Sequence, residues 1–234
     1  MNVRHAGLAA GVSAMMATGA LAEEQRFDFE GFTSVDLSAG IELVVRTGPD
    51  FSVLAESPRR GGLRRLEIEQ KGSSLRISRE TSWSGLSLLR SAPEITVTIT
   101  MPELRELSAS SGSSASVEGV RVDRFESHAS SGAAVAIKDM IATEVEIHGS
   151  SGAAFSASGT CEALDIHASS GAALNVSALE CDHVEADASS GANLSVYARD
   201  RADAEASSGA MVSVGGDPDF RDERESSGGS VVFR

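Results

Sequence analysis

Three histidines recur at nearly constant spacing in this 234-residue chain: His128, His148 and His167. Two residues before each stands an acid: Glu126, Glu146 and Asp165. Imidazole and carboxylate side by side suit zinc, copper or nickel. Each histidine also opens an HxSSG unit, and a serine near a histidine is the raw material of a nucleophile. Repetition weighs against both chemistries. A nucleophile needs one site, not three copies, and metal ligands must converge on one point, whereas a regular repeat spaces them apart. The sequence therefore favours a solvated row of acids and histidines, with a divalent-cation face as the alternative.

Two further groups carry chemistry. Cys161 and Cys181 lie twenty residues apart at equivalent places in the repeat described below. Neighbouring parallel strands lie about 4.8 Å apart, within the Cα separation that a disulfide accepts, so the pair is expected to form a structural cystine in an oxidising compartment. Arg59, Arg60, Arg64 and Arg65 open a stretch, Arg59–Arg90, with eight basic and three acidic residues. The chain as a whole has 20 Lys+Arg against 34 Asp+Glu, a net charge of -14. The basic stretch, which holds the single tryptophan, Trp83, is a candidate patch for an anionic glycan or lipid headgroup, or for end-to-end self-association. The overall acidity excludes nucleic acid as a partner, because a polyanion needs a basic face on which to release counterions. GxSxG, HExxH, GxGxxG and Walker sequences are missing, and no cofactor is expected.

The elements that must position these residues follow from a repeat. Ser-Ser-Gly occurs seven times, its glycines being Gly112, Gly132, Gly152, Gly171, Gly191, Gly209 and Gly228, at steps of 18 to 20 residues. Apolar residues stand three and five positions after each glycine, as in Val135/Ile137 and Leu174/Val176. In the middle repeats they stand again seven and five positions before it, as in Val145/Ile147 and Leu164/Ile166. Alternation of period two marks a strand with one buried face. The glycine is expected to supply a positive φ at a corner, with small serines stacking beside it and their hydroxyls bonding the backbone. One rung cannot bury its own apolar face, but stacked rungs can. The fold expected is all-β: a single-stranded parallel β-helix with rungs of about 20 residues. A β-sandwich would explain the alternation but not the constant step.

Residues 103–234 hold the regular repeats, and residues 23–102 are read as wider rungs with insertions in the same solenoid. The acids six residues before each glycine and the histidines four before it then face outward in columns on one sheet. Charged Arg221–Glu225 replaces the apolar pattern in the last repeat, as a capping rung requires. Met1–Ala22 has a basic start, an Ala/Gly/Met/Leu stretch and a terminal Ala-Leu-Ala, the pattern of a signal peptide. No later apolar run is long enough to span a membrane. The mature chain, 23–234, is expected in the periplasm or at the cell surface.

The layout resembles the head GIN domain family, also called auto-transporter adhesins. The resemblance is carried by FEGFTSVDLSAGIELVVRTGPDFSVLAES, LRISRE, ITVTITMPELRELSASSGS and the repeated SSGAA segments, and it covers Phe27 to Phe233. It implies an exported or envelope-associated β-helix without a catalytic signature, an adhesion or scaffolding module that binds an envelope glycan or a surface protein. A β-helical lyase or hydrolase acting on acidic polysaccharide is the enzymatic alternative.

Overall fold

A computed structural model describes residues 22–80 and 94–234. Trp83 and the expected signal peptide, apart from Ala22, lie outside the described residues. From Glu106 onward the chain climbs as a parallel β-solenoid, as the constant step requires. Strands β8 (Glu106–Ala109) and β9 (Ser114–Glu118) form a rung, and β10 (Arg121–Ala129) begins the next. Four long strands follow: β11 (Ala134–Gly149), β12 (Ala154–Ala168), β13 (Ala173–Ala188) and β14 (Asn193–Ala206). Shorter strands β15 (Met211–Gly215), β16 (Phe220–Glu225) and β17 (Ser230–Phe233) complete the stack.

Each long strand begins on one face of the solenoid and ends on another. The second halves of β11 to β14 stack between β10 and β16, forming what we term sheet A. Their first halves stack between β9 and β15, forming sheet B. The ladder slips between the two halves, at Ile137/Met140 and Ser156/Ser158 for example, where a bulge lets the strand turn onto a third side. In-register pairing puts like position on like position: Val145 on Leu164, Leu164 on Val184, Val184 on Ala202. These inward columns are buried, and with Phe125, Leu107 and Ile147 they fill one continuous core.

The corners differ from expectation in two respects: among the described residues the Ser-Ser-Gly hydroxyls make no backbone bond, that role falling once to Ser113, whose Oγ donates to the Ser110 carbonyl at 2.6 Å, and the left-handed conformation is shared by two residues. The second serine shares the left-handed conformation with the glycine: Ser131 has φ 52° and Gly132 φ 72°, and the other six corners repeat the pair. Ala133 N–H donates to the Ser130 carbonyl at 3.0 Å. Two consecutive left-handed residues closed by such a bond make a type I′ turn. Adjacent corners are tied by backbone, with Gly132 N–H donating to the Ser151 carbonyl at 3.1 Å. Serine is thus kept at the second position despite its Cβ, at a conformational cost of about 1–2 kcal/mol.

Before Glu106 the order of rungs in space departs from their order in sequence. β2 (Ser34–Leu37) and β3 (Glu42–Thr47) pair in parallel with β8 and β9 on one side. On the other side they pair in parallel with β6 (Ser74–Arg79) and β7 (Thr96–Met101). The first rung of the chain is therefore the second rung of the stack. The insertions read in the sequence are antiparallel strands that close its end. β5 (Leu66–Lys71) covers the outer edge of β6, β4 (Ser52–Ser57) covers β7, and β1 (Glu23–Phe27) covers β4. Covering a sheet edge removes a template for intermolecular pairing.

The last rung is closed by charge. Arg221, Glu223 and Glu225 occupy the columns that hold Ala202, Ala204 and Ala206 one rung earlier. The Arg221 guanidinium sits 5.1 Å from the Phe233 ring centroid, and Glu225 Oε1 accepts a hydrogen bond from Val231 N–H at 2.6 Å. Charges at inward positions of an edge strand disfavour further stacking.

Candidate functional site

Sheet A turns its outward columns to solvent. Parallel register aligns Glu126 with Glu146, Glu146 with Asp165, and Asp165 with Glu185. The next column aligns His128, His148, His167 and then Asp187. All six residues expected at this face are brought together. The imidazoles stack nearly parallel, His128 to His148 at 4.9 Å between centroids and His148 to His167 at 5.0 Å. That interval matches the strand spacing, so backbone register sets it.

Each histidine reaches back along its own strand. His128 Nε2 lies 2.7 Å from Glu126 Oε1, His148 Nε2 2.8 Å from Glu146 Oε1, and His167 Nε2 2.9 Å from Asp165 Oδ1. The last contact is close but misaligned, and leaves Asp165 Oδ1 without a hydrogen-bond partner. His167 Nδ1 meets a second carboxylate, Asp187 Oδ2, at 3.2 Å. The hydrogen bond from His148 holds the Glu146 carboxyl below the usual carboxylate range, with the charges of His148 and Arg124 adding to it. Among the described residues, no group of three or more His, Cys, Asp or Glu side chains is arranged to hold a metal ion. Stacked parallel rings keep their nitrogens one rung apart instead of aiming them at one centre.

A third outward column, unnoticed in the sequence, completes the face. It runs Arg124, Glu144, Ala163, His183 and Arg201. Arg124 bridges Glu144 at 3.0 Å and Glu146 at 2.6 Å, and Arg201 pairs with Asp203 at 2.7 Å. Ala163 interrupts the long side chains and leaves a shallow groove of about 310 Å³, with Glu144, Asp165, Glu185 and His183 on its walls. The available signal was positional: eight residues before each corner glycine, one step beyond the acid column.

The other sequence candidates fall elsewhere. Cys161 and Cys181 pair in register on the third side, joined as a disulfide with Cα atoms 4.5 Å apart, and both are buried. Ala142 and Ala198 continue their column on either side. The seven corner glycines line one edge between sheets A and B. Arg59, Arg60, Arg64 and Arg65 gather at the far, capped end, around a 3₁₀ turn (Gly62–Arg65). They are well separated in the fold from the histidine column.

Comparison with known proteins follows this architecture. Residues 31–218 match the family described as "Putative auto-transporter adhesin, head GIN domain". No curated protein matches the chain. Among solved structures, a "putative adhesin" from Bacteroides fragilis superposes with a TM-score of 0.83 at 15% identity, covering 91% of this chain and 96% of that one. A "putative lipid binding protein" from Parabacteroides distasonis gives 0.71 at 14% identity, covering 93% and 98%. A second "putative adhesin", from Parabacteroides merdae, gives 0.68 at 10% identity, covering 93% and 97%. At such identities the likeness is one of fold. The match over 31–218, with the solenoid that carries it, makes this chain a member of the head GIN domain family.

Proposed function

We propose that the protein is an exported envelope or surface module for adhesion or scaffolding, which binds a glycan or another envelope component and breaks no bond. The observation that carries this reading is the repetition of one surface unit. The same carboxylate–histidine pair stands on three consecutive rungs in a rigid register. A repeated unit at a fixed interval suits a partner that is itself repetitive, whereas catalysis concentrates unlike groups at one point. Rigid solenoid walls also limit the ordering cost of binding along an extended face. Family membership agrees with a surface role. Among the described residues no helix is long and apolar enough to cross a membrane.

The acid-lined groove at Ala163 is one place where the enzymatic alternative could reside; another, of about 610 Å³, is lined by Glu103, Asp123, Glu162 and Asp182. Two assays on the purified protein separate the readings: retention on an immobilised glycan array, and release of reducing ends from acidic polysaccharides. Retention without release is the expected result. Reducing ends that accumulate with time, and disappear in Asp165→Asn, would replace the binding module by a polysaccharide-active enzyme.

A further inference from the structure

Most basic residues elsewhere among those described are ion-paired, the exceptions being Arg79, Arg121, Lys138 and Arg234, and only at this corner do four unpaired arginines stand within seven residues of sequence. Ten other basic side chains reach a carboxylate within 4.0 Å, Lys71 on Glu69 and Arg76 on Asp36 among the nearest in sequence. Arg59, Arg60, Arg64 and Arg65 are all exposed, and among the described residues none of them makes an ion pair. The sequence outside the described residues, 1–21 and 81–93, contains no Asp or Glu that could serve. The carboxylate that does approach, Glu23, is committed to the backbone: its Oε2 accepts from Leu63 N–H at 3.1 Å.

The corner is also built to hold these charges together. Gly62 N–H donates to the Arg59 carbonyl at 3.0 Å, which closes a turn directly before the 3₁₀ segment. Gly61, at φ 74°, lies under the Arg64 side chain: a Cβ there would stand 2.9 Å from Arg64 Nε. Arg64 is thus folded back over the turn that carries Arg59 and Arg60. Like charges drawn together without a counterion repel, and a bound anion would relieve them. Guanidinium forks donate paired hydrogen bonds to carboxylate and phosphate oxygens.

We infer that the Arg59–Arg65 corner is a binding site for a polyanionic glycan, a chain carrying repeated carboxylate or phosphate groups. This deepens the surface-binding reading and rests on it for the partner's location. A membrane surface fits less well. The large exposed apolar residues among those described are Ile141, Met211, Phe220 and Val232, all in the C-terminal half and none at this corner to enter a bilayer. In a chain of net charge -14, attraction of a polyanion must be local.

The test uses the purified protein with polygalacturonate for carboxylate, polyphosphate for phosphate and dextran as the neutral control. The expected result is binding of a polyanion but not of dextran, fading as salt rises from about 0.05 to about 0.5 M. Arg64→Glu/Arg65→Glu should weaken it by about tenfold or more, the loss of two charge-assisted contacts. Arg121→Glu/Lys138→Glu, an equal charge change on the third side, should leave it unchanged. Equal loss in both variants, equal binding of dextran, or no binding of either polyanion would overturn the inference. So would binding only to phosphatidylglycerol vesicles, or a dimer that the Arg64/Arg65 variant dissolves. If the glycan array finds a neutral ligand that ignores Arg64 and Arg65, this inference falls while the surface-binding reading stands. If sugar is released, that reading falls while polyanion binding at the corner is unaffected.

Discussion

His148 lies face to face with His167, ring centroids 5.0 Å apart and planes 13° from parallel, while its Nε2 bonds Glu146 at 2.8 Å. The stack is a consequence of register, and the hydrogen bond is what links it to pH. Because the Glu146 pKa is lowered in the folded chain, its contribution to stability is present above the ordinary value of 4.5 and is lost as pH falls through the depressed one. Glu146→Gln should therefore destabilise at pH 7, by about 1 kcal/mol or less for so solvent-accessible a pair. Thermal melts of both proteins between pH 7 and pH 3 should converge below 4.5. A gap that stays constant over that range would mean that the lost stability comes from packing and not from charge.

The glycines divide into two kinds, and substitution should tell them apart. At Gly132 a Cβ would meet nothing within 4 Å, so the residue is kept for its φ of 72° alone. Gly132→Ala should cost about 1–2 kcal/mol, and Gly132→Asn less, since Asn enters the left-handed region more readily. At Gly159 a Cβ would stand 2.0 Å from the Met140 carbonyl oxygen, at φ 138°. Backbone of the neighbouring rung must then shift, and Gly159→Ala should cost about 3 kcal/mol or more. Urea titrations in which Gly132→Ala proves the more damaging would invert this account.

What the sequence disclosed and what it hid follow from the same physics. Side-chain columns repeat because rungs stack in register, so Glu126, His128 and their successors could be aligned by counting from Gly132. The Cys161–Cys181 pairing was legible for that reason too. Column position alone says nothing of reach, so the bridge from Arg124 to Glu146 and the second carboxylate on His167 emerged only with side chains in place. The left-handed Ser131 was hidden because serine has no strong preference to advertise it. The exchange of rung order before Glu106 was hidden because β4 and β5 pair antiparallel with strands tens of residues away or across a hairpin, and neither leaves a period in the sequence.

The disulfide offers a test of how far a staple strengthens a solenoid that already has a core. It closes a loop of sequence separation 20, and the flanking column residues are Ala142 and Ala198. Cys161→Ala/Cys181→Ala therefore extends an existing alanine column and removes little but the covalent link. The expected loss is about 3 kcal/mol, or about 6–12 °C in Tm for a chain of this size. Reductant should lower the wild-type Tm by a similar amount and leave the variant unmoved. Equal melting of the two proteins without reductant would show that the bond constrains neither state.

Sheet A becomes lighter toward its C-terminal rungs. The inward pair is Val145/Ile147, then Leu164/Ile166, then Val184/Ala186, then Ala202/Ala204, all buried. Replacing Ile166 by the Ala that occupies position 186 one rung later removes three carbons, about 0.8 kcal/mol each, so the later rungs gain less from burial. In a stack whose rungs contact mainly their neighbours, that difference should appear as a gradient of local stability. Native-state amide exchange is expected to be slowest in residues 144–149 and 163–168 and faster in 201–206. Ile166→Ala should cost about 2–4 kcal/mol and bring its own rung toward the exchange rate of the later ones. Uniform exchange along sheet A would instead mean that the solenoid opens as one unit, held by its charged last rung and its antiparallel cap as firmly as by its middle.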